Sequence, residues 1–132
     1  MGFAKAAFKI SGEKASLEGM AVVDTGSLMS IVDREVEDVL GLKPTGRLLQ
    51  LTTLSGEEVS CDEMLSREFV LEGEKLASER VAVCKLPENV KEKLRATGAD
   101  PRIIIGVITL EAAGLRVNPM TGKLEKVGWL TL

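Results

Sequence analysis

The residues Asp24-Thr25-Gly26-Ser27 put a carboxylate in a short polar turn directly behind the apolar run Met20-Ala21-Val22-Val23. Turns favour such residues for conformational reasons alone, so the tetrad by itself is a weak signal. Its weight comes from what the chain lacks. With no histidine in 132 residues, Ser-His-Asp and Cys-His catalysis, His-ligated zinc and imidazole acid-base chemistry are excluded within one chain. What remains is chemistry by carboxylates, lysines, hydroxyls or thiols. The only two cysteines, Cys61 and Cys84, read as reduced core residues. Gly12, Gly41, Gly56 and Gly114 form no phosphate-cradling cluster. Glu57-Glu58, Asp62-Glu63 and the acidic residues of 72–74 read as exposed loop and strand positions, so neither a metal nor a cofactor is expected.

The elements that position Asp24 follow from hydrophobic periodicity and turn residues. Segments 3–10 and 15–23 read as antiparallel strands joined by Ser11-Gly12-Glu13-Lys14. The run Met20-Ala21-Val22-Val23 suggests burial on both faces, which places Asp24 at the end of a buried strand. A short helix is predicted over 33–40, with Val36, Val39 and Leu40 inward, Ser30 or Asp33 as N-cap and Gly41 as its stop. Segments 48–54 and 57–60 flank Ser55-Gly56 as a hairpin, and further strands are predicted over 65–71 and 77–84. Residues 87–96 read as a surface helix stopped by Gly98. Arg102-Ile103-Ile104-Ile105-Gly106 reads as a buried strand, followed by a helix over 109–113 and a hairpin over 115–127 with Trp129 beyond it. Ala113-Gly114-Leu115 echoes Leu40-Gly41-Leu42.

The length fits a single domain over 1–132 with one core. Apolar residues make up 45% and charged ones 28%, a net charge of −3 is spread without a basic patch, and only three Phe and one Trp are present for stacking. That composition gives no support for nucleic-acid binding, and no apolar run reaches the ~20 residues of a membrane span. No secretory signal is visible, and Ala6 stands where a myristoylation motif needs Ser or Thr, so a cytoplasmic location is expected.

A buried strand ending in Asp24-Thr25-Gly26-Ser27, a glycine-tipped hairpin some thirty residues on, and Ile103-Ile104-Ile105-Gly106 before a short helix resemble, in that order, the retropepsin-like (clan AA) aspartic peptidases. The sequence is most similar to their small archaeal and bacterial branch. The resemblance implies a mainly β fold, the retropepsin-like closed β-barrel with short helices that forms one half of an acid protease. It implies that Asp24, with Thr25, Gly26 and Ser27, is the catalytic loop, and that Leu54, Ser55, Gly56 and Glu57 form a flap over substrate. Ile105 and Gly106 would then pack beside the loop and help bind substrate. Thr25 would hydrogen-bond across a two-fold axis, and Ser27 could bond the Asp24 carboxylate. Retroviral members carry an acidic residue after the motif paired with an arginine after the Ile-Ile-Gly strand. Leu28 or Met29 and Val107 stand there instead, a joint loss compatible with an apolar contact. The chain has no tyrosine, so the flap has no such aromatic clamp.

Peptide hydrolysis needs a base for the water and an acid for the carbonyl oxygen or the leaving nitrogen. Two adjacent carboxylates sharing one proton supply both, because they cannot both ionise cheaply. The sequence has one Asp-Thr-Gly, so the second carboxylate is expected from a second copy in a symmetric homodimer. Segments 3–10 and 126–132 are candidates for further contacts between copies. The expected function is an aspartic endopeptidase acting on peptides or proteins. Aspartyl-phosphate enzymes also use Asp-Thr-Gly, but with flanking signatures and an α/β scaffold that are missing here. The remaining competitor is a catalytically idle dimer of the same fold serving in binding or assembly.

Overall fold

The computed structural model describes residues 3–52 and 56–128. Among them, nine strands form one sheet in the order β4 (Lys43–Thr52), β5 (Glu58–Leu65), β8 (Arg80–Cys84), β3 (Ile31–Asp33), β9 (Ile103–Ile105), β2 (Ser16–Val23), β1 (Lys5–Ser11), β6 (Glu68–Leu71), β7 (Glu74–Ala77), and β10 (Leu115–Val117) and β11 (Leu124–Lys126) form a separate hairpin. No helix among the described residues is long and apolar enough to cross a membrane.

Strand β1 (Lys5–Ser11) alternates strictly, with Ala6, Phe8 and Ile10 in the core and the lysines outward. It pairs with β2 (Ser16–Val23) through the predicted turn, where Gly12 is required: a Cβ there would lie 2.1 Å from the Leu40 carbonyl oxygen. The expected two-faced burial of β2 holds for Ala21, Val22 and Val23 but not for Met20, which is 44% exposed. Strand β9 (Ile103–Ile105) joins β2 at Val22 and Val23.

The predicted helix over 33–40 is instead three pieces: β3 (Ile31–Asp33), a 3-10 turn (Arg34–Val36) and α1 (Glu37–Leu40). Asp33 does act as a cap, its Oδ2 accepting from the Glu35 N–H at 3.2 Å. Val36 and Leu40 point inward as expected, whereas Val39 is 62% exposed because the helical stretch is too short to complete the predicted face. Gly41 ends it at φ 75°, and Gly114 takes φ 72° at the corresponding point of the second half.

Strands β4 (Lys43–Thr52) and β5 (Glu58–Leu65) form the predicted hairpin, both longer than expected, with a bulge between Pro44 and Leu48. The single strands predicted over 65–71 and 77–84 are each broken. β5 ends at Leu65, β6 (Glu68–Leu71) and β7 (Glu74–Ala77) make a tight hairpin, and β8 (Arg80–Cys84) follows. Glu72 and Gly73 both have positive φ, as a two-residue turn between antiparallel strands requires. At the two breaks, Ser66 and Glu79 satisfy each other: Ser66 N and Oγ donate to the Glu79 carbonyl, and the Glu79 N–H donates to Ser66 Oγ.

Helix α2 (Glu88–Ala96) lies where predicted, as does the hairpin of β10 (Leu115–Val117) and β11 (Leu124–Lys126); Trp129 lies outside the described residues. The principal core lies between β1, β2, β6, β8 and β9, with Phe69, Ile10, Leu71, Ile103 and Ile105 fully enclosed. A second cluster forms where α2 lays Leu94 and partly buried Val90 near Val22 and Ile104.

Candidate active site

The sheet is built to hold one loop. Strand β9 sits between β2, which it meets in parallel (Val22↔Ile104, Val23↔Ile105), and β3, which it meets antiparallel (Ile31↔Ile104). Residues 24–30 therefore cross the end of β9, fixed at both ends by the same strand. At the first end the Asp24 N–H donates to the Ile105 carbonyl at 2.9 Å.

The loop folds on itself around the carboxylate. The Gly26 N–H donates to Asp24 Oδ1 at 2.9 Å, and the Ser27 N–H donates to the Asp24 carbonyl at 3.0 Å. The first bond orients the carboxylate and leaves Oδ2 for other chemistry. Asp24 is partly buried, while Thr25 and Gly26 are exposed at the loop's outer edge. Ser27 does not bond the carboxylate with its side chain, contrary to expectation. Its Oγ donates to the Met29 carbonyl at 2.8 Å, a partner closer along its own turn.

The far end of the loop is clamped by α3 (Val107–Ala112), which begins two residues earlier than predicted. The first N–H groups of a helix have no partner inside it. Here Val107 and Ile108 donate to the Ser27 and Leu28 carbonyls at 2.8 and 2.9 Å. Main-chain bonds thus make this joint, and Leu28 is 67% exposed. Gly106 permits this approach, since a Cβ on it would lie 2.4 Å from the Met29 carbonyl carbon and oxygen.

Beneath the loop lies a buried polar pair that sequence reasoning missed as a unit. Ser30 Oγ accepts from the Gly106 N–H at 3.0 Å and shares a 2.6 Å hydrogen bond with Thr109 Oγ1, both residues being fully buried. The available signal was a hydroxyl inside each of two apolar runs, Met29-Ser30-Ile31-Val32 and Ile108-Thr109-Leu110. Buried hydroxyls need partners, and two in facing segments are natural partners for each other.

Of the site residues read from sequence, Asp24, Gly26, Ser27, Ile105 and Gly106 are therefore joined through one hydrogen-bonded loop, with Thr25 at its exposed turn. Gly56, at φ 88°, and Glu57 are exposed at the end of the β4/β5 hairpin. Leu54 and Ser55 lie outside the described residues. Two surface cavities lie elsewhere, along the β1–β2 turn with Arg67 and Glu68 and beside α1. Neither includes a loop of the kind that surrounds Asp24, whose constrained carboxylate makes it the stronger chemical candidate.

Comparison with known proteins agrees with this geometry. Residues 6–109 match the profile of the aspartyl protease family. Among solved structures, the protease of EIAV in complex with the inhibitor HBY-793 superposes with a TM-score of 0.60 at 15% identity, over 89% of this chain and 93% of that one. No curated protein matches the chain by sequence. The structural likeness establishes the fold, and the family match spans both the Asp24 loop and the β9–α3 clamp. The chain thus belongs to the aspartyl protease family, as an aspartic endopeptidase of retropepsin-like fold.

Proposed function

We propose that the chain is a single domain that hydrolyses peptide bonds as a homodimer, each copy contributing one Asp24 to a shared catalytic pair. The observation that carries this reading is the single Asp24 loop, constrained from below by β9 and α3 and exposed at Thr25 and Gly26. One such loop supplies one carboxylate, and the aspartic mechanism of peptide hydrolysis uses two.

In the pair, one Asp24 is ionised and the other protonated, the proton belonging to the pair and not to either residue. The ionised carboxylate removes a proton from a bound water as it attacks the peptide carbonyl, while the other donates its proton to the carbonyl oxygen. Collapse of the tetrahedral intermediate returns that proton to the carboxylate pair and delivers one to the leaving nitrogen. The Gly26 N–H on Asp24 Oδ1 holds the carboxylate in position for this exchange. Thr25 is assigned to the contact between the two loops. Leu54, Ser55, Gly56 and Glu57 are assigned to a flap that closes over an extended peptide, with Ile105 and Gly106 behind the catalytic loop.

The test is a peptide-library digest with the wild-type protein and Asp24→Asn. The amide keeps the side chain's shape but can act neither as base nor as shared-proton acid, so kcat/KM should fall by about a thousandfold or more with Tm little changed. Cleavage by the variant at the wild-type rate would place the chemistry elsewhere.

A further inference from the structure

We infer that Cys61 and Cys84 are a site of reversible disulfide formation, closing across the fork where the β4/β5 hairpin leaves the body of the sheet. The positions follow from register. Strands β5 and β8 pair antiparallel, with Glu63 opposite Ala82 and Asp62 opposite Val83. Cys61 and Cys84 stand one step beyond the end of this ladder, and both side chains belong to one buried cluster with Ala82. The two thiols are in hydrogen-bond contact with each other, which brings their sulfurs together from neighbouring strands as a disulfide requires. Both thiols are free and buried.

The location gives the bond a consequence. The ladder between β5 and β8 ends at Asp62 and Val83. Beyond that point Cys61 keeps a partner in Leu49 of β4, and Cys84 one in Asp33 of β3. Cys61 thus begins the arm that projects toward Gly56, and Cys84 ends the strand that stays with the body. A disulfide would move the fork one residue toward the hairpin tip and take freedom from the arm.

The thiols are also differentiated. The hydrogen bond from the Cys84 thiol holds Cys61 below the ordinary thiol range, against the opposing effect of burial and with help from the Arg34 charge. The same bond, together with burial, pushes Cys84 up. Cys61 is therefore the attacking group. A low-molecular-weight disulfide such as oxidised glutathione is the oxidant. The Cys61 thiolate attacks one of its sulfurs, forming a mixed disulfide and releasing one glutathione thiol. The Cys84 thiolate then attacks the Cys61 sulfur and expels the second. The protein loses two protons and two electrons, and these appear in two molecules of reduced glutathione. Because the thiols are buried, reaction proceeds through opening of the fork and not of the whole fold.

The experiment uses the wild-type protein under native conditions and does not depend on peptidase activity. After incubation with oxidised glutathione, free thiols are trapped and the protein is digested with trypsin. Cleavage at Arg67, Lys75 and Arg80 puts the two cysteines on separate peptides. The expected result is a single joined peptide, the simultaneous loss of both thiols, their return with dithiothreitol, and slower amide exchange over residues 58–61 in the oxidised form. Glutathione adducts without the joined peptide, or thiols that react only after denaturant unfolds the protein, would overturn the proposal.

Discussion

Gly106 is where a single methyl group would be felt most directly by the Asp24 loop. The atoms in its way are the Met29 carbonyl and the Ser30 nitrogen, all backbone, so no side chain can turn aside to make room. Gly106→Ala should cost about 1–3 kcal/mol and displace the loop. Peptidase activity should fall by more than the lost stability explains, measured by kcat/KM well below Tm. Thr109→Val tests the polar pair beneath. It keeps volume but removes the partner of Ser30, at a cost of about 1–3 kcal/mol for a buried hydroxyl left short of a bond. Two carboxyls away from the loop set opposite pH signs. Burial would raise Asp100, but bonds from the Arg102 guanidinium and N–H win and hold it low. A carboxyl lowered on folding adds stability above its unfolded value and loses it as pH falls through the folded one. Burial raises Glu79, against the weaker pull of the Arg80 N–H and charge. Its contribution is present below the unfolded value, about 4.3, and is lost as pH rises through the folded one. Thermal melts should therefore show Asp100→Asn less stable than wild type near neutrality and converging in acid. Glu79→Gln should be more stable near neutrality and equal in acid. Parallel melting curves at every pH would contradict both assignments.

At the scale of elements, α2 is held by one buried ion pair more than by its own sequence. Asp33 is 2% exposed and Lys91 13%, with Nζ to Oδ2 at 3.1 Å. Asp33 also accepts from the Leu86 and Glu35 N–H groups. Burial works against the Lys91 charge, but Asp33, then Glu35 and Glu88, keep its pKa above the ordinary value. Asp33→Ala removes three partners at once and should cost about 3–5 kcal/mol. Lys91→Met should cost less by denaturant titration, because both backbone donors to Asp33 remain. Equal costs would show that the pair, and not the backbone anchorage, dominates. This anchor was hidden in sequence, where Asp33 read only as a helix cap and Lys91 as one charge on a solvated face. What was legible were elements set by local rules: the alternation of Ala6, Phe8 and Ile10, the Gly41 stop, and the run Ile103-Ile104-Ile105-Gly106. What was not legible depended on partners distant in the chain. The breaks after Leu65 and Ala77 are made by Ser66 and Glu79 bonding each other. In the site, the Asp24 loop was readable from its motif, but the Ser30–Thr109 pair needed the fold that brings residues 79 positions apart into contact.

At the scale of the molecule, the proposed mechanism depends on the pairing of two copies around the Asp24 loop. Of the two terminal segments expected to mediate that pairing, the first has little backbone to offer. β1 is paired with β2 along its whole length and with β6 over Phe8–Ser11, and Ala7 exchanges bonds with Glu72. Apolar surface remains at Phe3 (60% exposed), Leu28 (67%) and Val127 (53%), with Leu28 in the Asp24 loop itself. Burying such side chains between copies would stabilise a pair at roughly 25 cal/mol per Å² of apolar area. Leu28 lies closest in sequence to Thr25, the residue assigned to the contact between loops. Leu28→Glu should therefore weaken association while leaving the monomer fold intact, since its side chain meets little of its own chain. Sedimentation of the wild type at micromolar concentration should give twice the chain mass, and activity per chain should fall on dilution once dissociation begins. Leu28→Glu should shift that fall to higher concentration with an unchanged circular dichroism spectrum. A wild-type protein that sediments as a monomer and still cleaves peptides, with rate strictly proportional to concentration, would rule out the shared pair of Asp24 carboxylates.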